Sequence, residues 1–216
     1  MTSRPERSRR GGRFIVFEGG EGAGKSTQAR LLAEALRERG LEVLLSREPG
    51  GTPGGEAIRE LLLHPPGEGW PAQAEALLFA AARADHVAQA ILPALDAGQW
   101  VISDRFVDSS RAYQGGGGGL ADADILALHR IGSGGLLPDL TFLLEAAPDQ
   151  IARRLARRDG GESDAIGGRD ASYHADVAAA FARFAEAEPA RFVRIDGSGE
   201  IDATHHRILD ALAPLL

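Results

Sequence analysis

The chain has 216 residues, 44% of them hydrophobic and 25% charged, a balance that suits one soluble globular domain with a real core. It has no cysteine, which excludes a disulfide framework, thiolate metal sites and cysteine catalysis, and no apolar run nears the roughly 18 residues of a membrane span. The net charge of −7 is uneven: residues 1–13 hold five Arg and one Glu, giving +4, and the other 19 basic and 30 acidic residues give −11, an acidic body unlike that of a general nucleic-acid binder.

Residues 1–12 read as a disordered basic tail with no apolar segment to make a secretory signal, so a cytoplasmic setting is expected. Residues 13–216 read as a single domain. Arg13–Phe17 predicts a buried strand, followed by a Gly-rich turn and an amphipathic helix from Lys25 to Arg39, stopped by Gly40. Val43–Ser46 is a second strand, Arg47–Gly55 a loop and Glu56–Leu63 a short helix. Pro71 opens a long helix to about Ala97, whose apolar stripe is Ala74, Leu77, Leu78, Ala81, Ala84, Ala88, Ile91, Leu92 and Leu95. Trp100–Ser103 is a third strand, the glycines Gly115–Gly119 a flexible loop, Asp122–Ile131 a helix and Leu140–Leu144 a fourth strand. Pro148–Arg158 is helical and Asp159–Ala171 polar and Gly-rich; a helix over Ser172–Glu188, a strand at Phe192–Ile195 and a helix over Ile201–Leu212 complete the chain. Strands alternating with helices imply an α/β fold, a doubly wound five-stranded parallel sheet, with ligands at the carboxyl ends of its strands.

Gly19-Gly20-Glu21-Gly22-Ala23-Gly24-Lys25-Ser26 fits the phosphate-loop pattern GxxxxGK[ST], between a strand and a helix as that pattern requires. Its glycines let backbone N–H groups converge on phosphate oxygens, and the helix N-terminus, with Thr27 in its first turn, favours the anion. Lys25 is expected on the β- and γ-phosphates of ATP and Ser26 on Mg²⁺. Of 24 basic residues 23 are Arg; the single Lys stands where a compact point charge is needed. An Asn-Lys-x-Asp guanine reader would need a second lysine, so a GTPase switch is excluded and a small-molecule kinase remains.

The other strand ends carry chemistry too. Arg47-Glu48-Pro49-Gly50-Gly51-Thr52 follows the second strand and Asp104-Arg105-Phe106 the third. An arginine in such a loop suits bidentate contact with a monophosphate, and the acid can support Mg²⁺. Phe79 and Arg83 share one helix face, with Phe79 roughly 150° from the apolar stripe, so Phe79 either packs a second buried face or meets a ligand. In the order Arg47–Thr52, Leu77–Arg83, Asp104–Phe106, Ala112–Gly115, these segments resemble the thymidylate kinase family motifs TREPGGT, LLFxAxR, DR[YFH] and AYQG.

The resemblance implies phosphoryl transfer from Mg-ATP to dTMP, giving dTDP, in a P-loop kinase architecture that forms a homodimer through its long helices and has no nucleic-acid or membrane partner. It implies that Gly19, Gly20, Glu21, Gly22, Ala23, Gly24, Lys25, Ser26 and Thr27 bind ATP, and that Ser26 and Asp104 support the metal. It implies a dTMP site of Phe79, stacked on the base, Arg83 on a base carbonyl, Ser109 and Ser110 at the base edge, Tyr113 near the sugar, Gln114, Arg47 on the monophosphate, Arg105 bridging the phosphates and Glu21 facing the 3′-hydroxyl. Catalysis is expected from Lys25, Arg105, Glu21 and, as in the bacterial type with a mobile arginine-bearing lid at about 154–172, Arg154 and Arg158. The lid departs from the family pattern: Asp164-Ala165-Ile166-Gly167 lacks the usual arginine and glutamate, and Arg169 is the candidate replacement. Another nucleoside monophosphate kinase, or a nucleotide-binding relative with impaired turnover, are the competing readings.

Overall fold

The computed structural model describes residues 11–147, 150–154 and 165–216. Five strands, β1 (Phe14–Glu18), β2 (Val43–Arg47), β3 (Trp100–Asp104), β4 (Leu140–Glu145) and β5 (Phe192–Asp196), pair in parallel in the order β2-β3-β1-β4-β5. The helices are α1 (Lys25–Glu38), α2 (Pro53–Leu63), α3 (Ala72–His86), α4 (Leu92–Asp96), α5 (Val107–Ser110), α6 (Asp122–Ser133), α7 (Ala171–Ala187) and α8 (Ile201–Leu212). Residues 150–154 are also helical. Residues 1–10 of the expected tail and 155–164 of the expected lid, with Arg158, lie outside the described residues.

All five residues of β1 are buried, as a central parallel strand with helices on both faces requires. Side chains alternate: Ile15 and Phe17 pack with Leu32 and Leu36 of α1 and Ile208 and Leu212 of α8, whereas Phe14 and Val16 pack with Val87, Ile91 and Phe106 on the other face. Asp104 is in register with Phe17 of β1 and with Arg47 of β2. Glu18, Arg47 and Asp104 thus gather at one edge of the sheet, the edge where the phosphate loop leaves β1.

Three expectations are corrected. The apolar stripe of the long helix faces the core only at its far end, through Ile91 and Leu95: Leu77 is 56% and Leu92 41% exposed, with Ala81 and Ala88 outside as well, while Glu75, Arg83 and His86 are buried. The buried polar side is tolerated because its members have partners on other elements: Arg83 and His86 bond to Glu48, and Glu75 accepts from Gln114. Nor is the helix uniform, since Val87–Ile91 is π-helical just ahead of Pro93, which lacks an N–H and crowds the preceding turn. Residues expected as loop are helical at two places. Thr52 caps α2 by accepting from Gly55 N (3.0 Å) and Pro53 takes the first turn, so the helix starts three residues early. Arg111–Gly117 is π-helical, so the glycine run is mostly not a loop. A Cβ on Gly116 would lie 2.6 Å from Ala180 Cβ, and one on Gly117 2.5 Å from the Tyr173 ring. Those glycines let this segment press against α7.

Candidate active site

The phosphate loop wraps Gly19 to Gly24, with Gly19, Gly22 and Gly24 at positive φ. Gly19 also runs so close to β4 that a Cβ there would meet Leu144 O at 2.3 Å. Lys25 opens α1, is 6% exposed and donates from Nζ to Gly20 O at 2.6 Å. Burial pushes its ammonium down to about 7, helped by the Arg105 guanidinium and opposed by Asp104, Glu18 and Glu21. Ser26 Oγ donates to Asp104 Oδ2, and Asp104 Oδ1 is buried without a hydrogen-bond partner among the described residues. An orphaned carboxylate oxygen beside this hydroxyl fits a hard divalent cation such as Mg²⁺, which takes oxygen ligands and keeps several waters.

These residues line a cavity of about 610 Å³ that runs from Glu21 to Gln28 and is closed by Arg154 and Gly197 on one side and Arg47 and Arg59 on the other. Arg154 donates from Nη1 to Gly22 O and Ala23 O (3.3 Å each) and from Nη2 to Gly197 O (2.8 Å), so it lies against the phosphate loop. A second cavity of about 90 Å³ is lined by Leu63, Phe79, Ser109, Ser110, Tyr113 and Gln114 together with Ile166. Lys25 and Phe79, on separate elements, thus serve adjoining spaces: Glu21, Glu48, Arg59 and Arg105 line both. A triphosphate in the first and a flat base in the second would bring two phosphate tails to those four residues.

Arg105 is the most constrained of them. It has φ 73°, in the left-handed region that non-glycine residues avoid. Its Nη1 donates to Gly19 O (3.2 Å) and Ser109 Oγ (3.1 Å), and its Nη2 to the Tyr113 hydroxyl (3.2 Å). The turn after it is pinned by Glu18, which accepts from Phe106 N (2.9 Å), Ser109 N (3.0 Å) and Ser109 Oγ (2.6 Å). Glu18 is fully buried, and burial, with Asp108 close by, raises its carboxyl to about 7.

The family model for thymidylate kinase matches residues 17–208. The chain is 55% identical to a thymidylate kinase of Rhizorhabdus wittichii, covering 95% of this chain and 99% of the relative. A thymidylate kinase of Halorhodospira halophila is 48% identical over 95% of both chains. The crystal structure of thymidylate kinase from Ehrlichia chaffeensis superposes with a TM-score of 0.77 at 32% identity, covering 94% of this chain and 99% of that one. The chain belongs to the thymidylate kinase family.

Within that family frame, most residues expected around the two nucleotides line the cleft; Gly19, Gly20 and Arg83 line neither cavity, and Arg47 lines only the larger one. Arg83 is 3% exposed and is not part of either cavity wall. It gives Nε to Glu48 Oε2 (2.7 Å) and Nη2 to Ser110 Oγ (2.8 Å) and Phe106 O (3.3 Å), because the buried Glu48 carboxylate needs a cation. It thus holds Ser110 and Glu48 from behind. Arg47 lines the larger cavity only and rests its Nη2 on both Glu56 oxygens at 3.0 and 3.1 Å, with more than half its side chain exposed. Arg59, which sequence reasoning passed over, reaches the junction instead and donates Nη1 to Pro49 O at 2.8 Å. Its signal was legible: Arg59, Leu62 and Leu63 share a face of α2, and Leu62 is buried. Ser46 and His86 form a further support, with His86 bonded to Glu48 Oε1 (3.0 Å) and to Ser46 Oγ (2.6 Å).

Proposed function

We propose that this chain transfers the γ-phosphoryl group of ATP to the 5′-phosphate of dTMP, giving ADP and dTDP on the route to dTTP. An oxygen of the acceptor phosphate forms the new bond to the γ-phosphorus, and the bond to the ADP oxygen breaks. The observation that carries this reading is the junction of the two cavities at Glu21, Glu48, Arg59 and Arg105.

Phosphoryl transfer needs alignment and positive charge around the moving group more than covalent help. Gly19–Thr27 supply backbone N–H groups to the ATP phosphates, and Lys25 adds a point charge on the β- and γ-oxygens. Mg²⁺, held by Ser26 and by Asp104 directly or through water, would neutralise charge on the donor phosphates. Arg105 spans donor and acceptor phosphates, Arg154 steadies the donor, and Arg59 with Arg47 faces the acceptor phosphate. Glu21 takes the 3′-hydroxyl, Phe79 stacks on the base, and Ser109, Ser110, Tyr113 and Gln114 enclose it, with Arg83 holding that wall. Arg158 belongs to the same reading as a lid arginine outside the described residues.

The test is a coupled assay with Mg-ATP across dTMP, dUMP, UMP, dCMP and dGMP. The reading expects the highest kcat/KM with dTMP; a cytosine or purine nucleotide in first place would overturn it.

The outward stripe of the long helix supports the homodimer reading. Leu77, Ala81, Ala88 and Leu92 are exposed along one line, beside Ile131 of α6, which is 80% exposed. A second copy covering this stripe would bury it. Leu77→Asp is expected to shift a dimer to monomer in light scattering; a wild-type monomer overturns the assembly.

A further inference from the structure

Arg169 lies in the segment that departs from the family's lid sequence, yet it lines neither cavity and points at the rear of the base pocket. Its Nη2 pairs with Glu75 Oε2, its Nη1 donates to the Tyr173 hydroxyl at 2.6 Å, and its guanidinium stacks 4.6 Å from the centre of the Tyr173 ring. Ile166, three residues earlier, is 7% exposed and forms part of the base-pocket wall. The end of the lid region is therefore fastened over the acceptor side.

Glu75, 5% exposed, receives a second donor: Gln114 Nε2 bonds to its other oxygen at 2.8 Å. A carboxylate only accepts, so Gln114 must turn its NH₂ toward Glu75 and its carbonyl the other way. Gln114 is 1% exposed and lines the base pocket. A carbonyl oxygen facing that space accepts the N3–H of thymine; cytosine offers a lone pair at N3 and is refused. Removing Arg169 leaves Glu75 a buried charge with one amide donor, so the carboxylate swings toward water and leaves Gln114 without the acceptor that fixes which way its amide faces.

We propose that Arg169 is a positioning residue that acts through Glu75 to fix the polarity of Gln114, and so sets the preference for thymine over cytosine nucleotides. This deepens the proposed function and rests on dTMP being the acceptor.

Steady-state kinetics of wild type, Arg169→Met, Arg169→Lys and Glu75→Gln with dTMP and dCMP tests it, with calorimetric binding of both nucleotides in the absence of ATP. Arg169→Met is expected to raise KM for dTMP and to lower the dTMP:dCMP ratio of kcat/KM by about tenfold, the scale of one mispaired buried hydrogen bond. KM for ATP should stay constant, Arg169→Lys should recover part of the ratio, and Glu75→Gln should reproduce the loss. An unchanged ratio overturns the proposal, as does a raised KM for ATP with KM for dTMP unaltered, which would place Arg169 on the donor side. If Arg169→Met fails to fold, an unchanged ratio in Arg169→Lys and Glu75→Gln overturns it equally. A wild-type enzyme inactive on dTMP would defeat the proposed function itself; an active wild type with unaffected variants defeats only the role of Arg169.

Discussion

The guanidinium of Arg105 lies over the ring of Tyr113, 4.9 Å from its centre, while also donating to the Tyr113 hydroxyl. Stacked on Tyr113, hydrogen-bonded to Gly19, Ser109 and Tyr113 and set on a left-handed backbone, its guanidinium is fixed at the junction of the two cavities.

Lysine at 105 keeps the charge and loses the planar fork. Arg105→Lys is expected to lower kcat by about 1,000-fold, within the range for an arginine serving a transferring phosphoryl group, while KM for ATP moves little. A loss under tenfold in stopped-flow turnover would remove Arg105 from the transition state.

Phe79 packs against the buried group around Tyr113 and Phe181 and still faces the smaller cavity. Phe79→Ala should weaken dTMP binding by about 1–3 kcal/mol, the value of base–aromatic stacking in nucleic-acid systems. Calorimetry should find ATP affinity preserved; an equal loss for both nucleotides would mean a collapsed cleft instead of a missing platform.

The Lys25 ammonium, pushed down to about 7, gives binding a pH signature. Polyanion binding favours its charged form and raises that value, so ATP binding takes up a proton above about pH 7. Affinity should therefore fall as pH rises from 7 to 9. Calorimetry in buffers of different ionisation enthalpy should detect the uptake in wild type and lose it in Lys25→Ala, which should remain folded by circular dichroism. Equal uptake in that variant would locate the proton elsewhere.

Gly117 meets the Tyr173 ring where a Cβ would stand 2.5 Å away. Gly117→Ala should cost about 1–3 kcal/mol of stability, as overpacked sites do, and lower Tm by roughly 2–12 °C for a chain of this size. An unshifted melting curve would show that α7 yields without cost.

The phosphate loop, the five strands and the turn of Phe79 away from the apolar stripe were legible because each is written locally: a glycine pattern, a buried strand, an aromatic out of phase with its helix. The glycine run misled because its cause is non-local; Gly116 and Gly117 are small to suit α7, more than 50 residues away, and nothing nearby in sequence says so. The long helix misled for a related reason. Apolar periodicity marks a face that needs covering without saying what covers it, so Leu77 and Leu92 were expected in the core and lie outside it, while Ile91 of the same stripe is buried. Arg83 was expected on a base carbonyl; the fold instead sets it behind Ser110, with its Nε on Glu48, a long-range partner that nothing nearby in sequence announces.

Helix α3 carries Phe79 and Glu75 toward the acceptor and Leu77 and Ala81 toward the outside, whereas the phosphate loop hangs on β1 and α1. In the proposed assembly, a second copy on the outer stripe would stiffen the helix that carries the proposed base platform and leave the donor cradle alone. Dilution that separates two copies should then erode affinity for the nucleotide being phosphorylated first, and affinity for the one giving up its phosphate last.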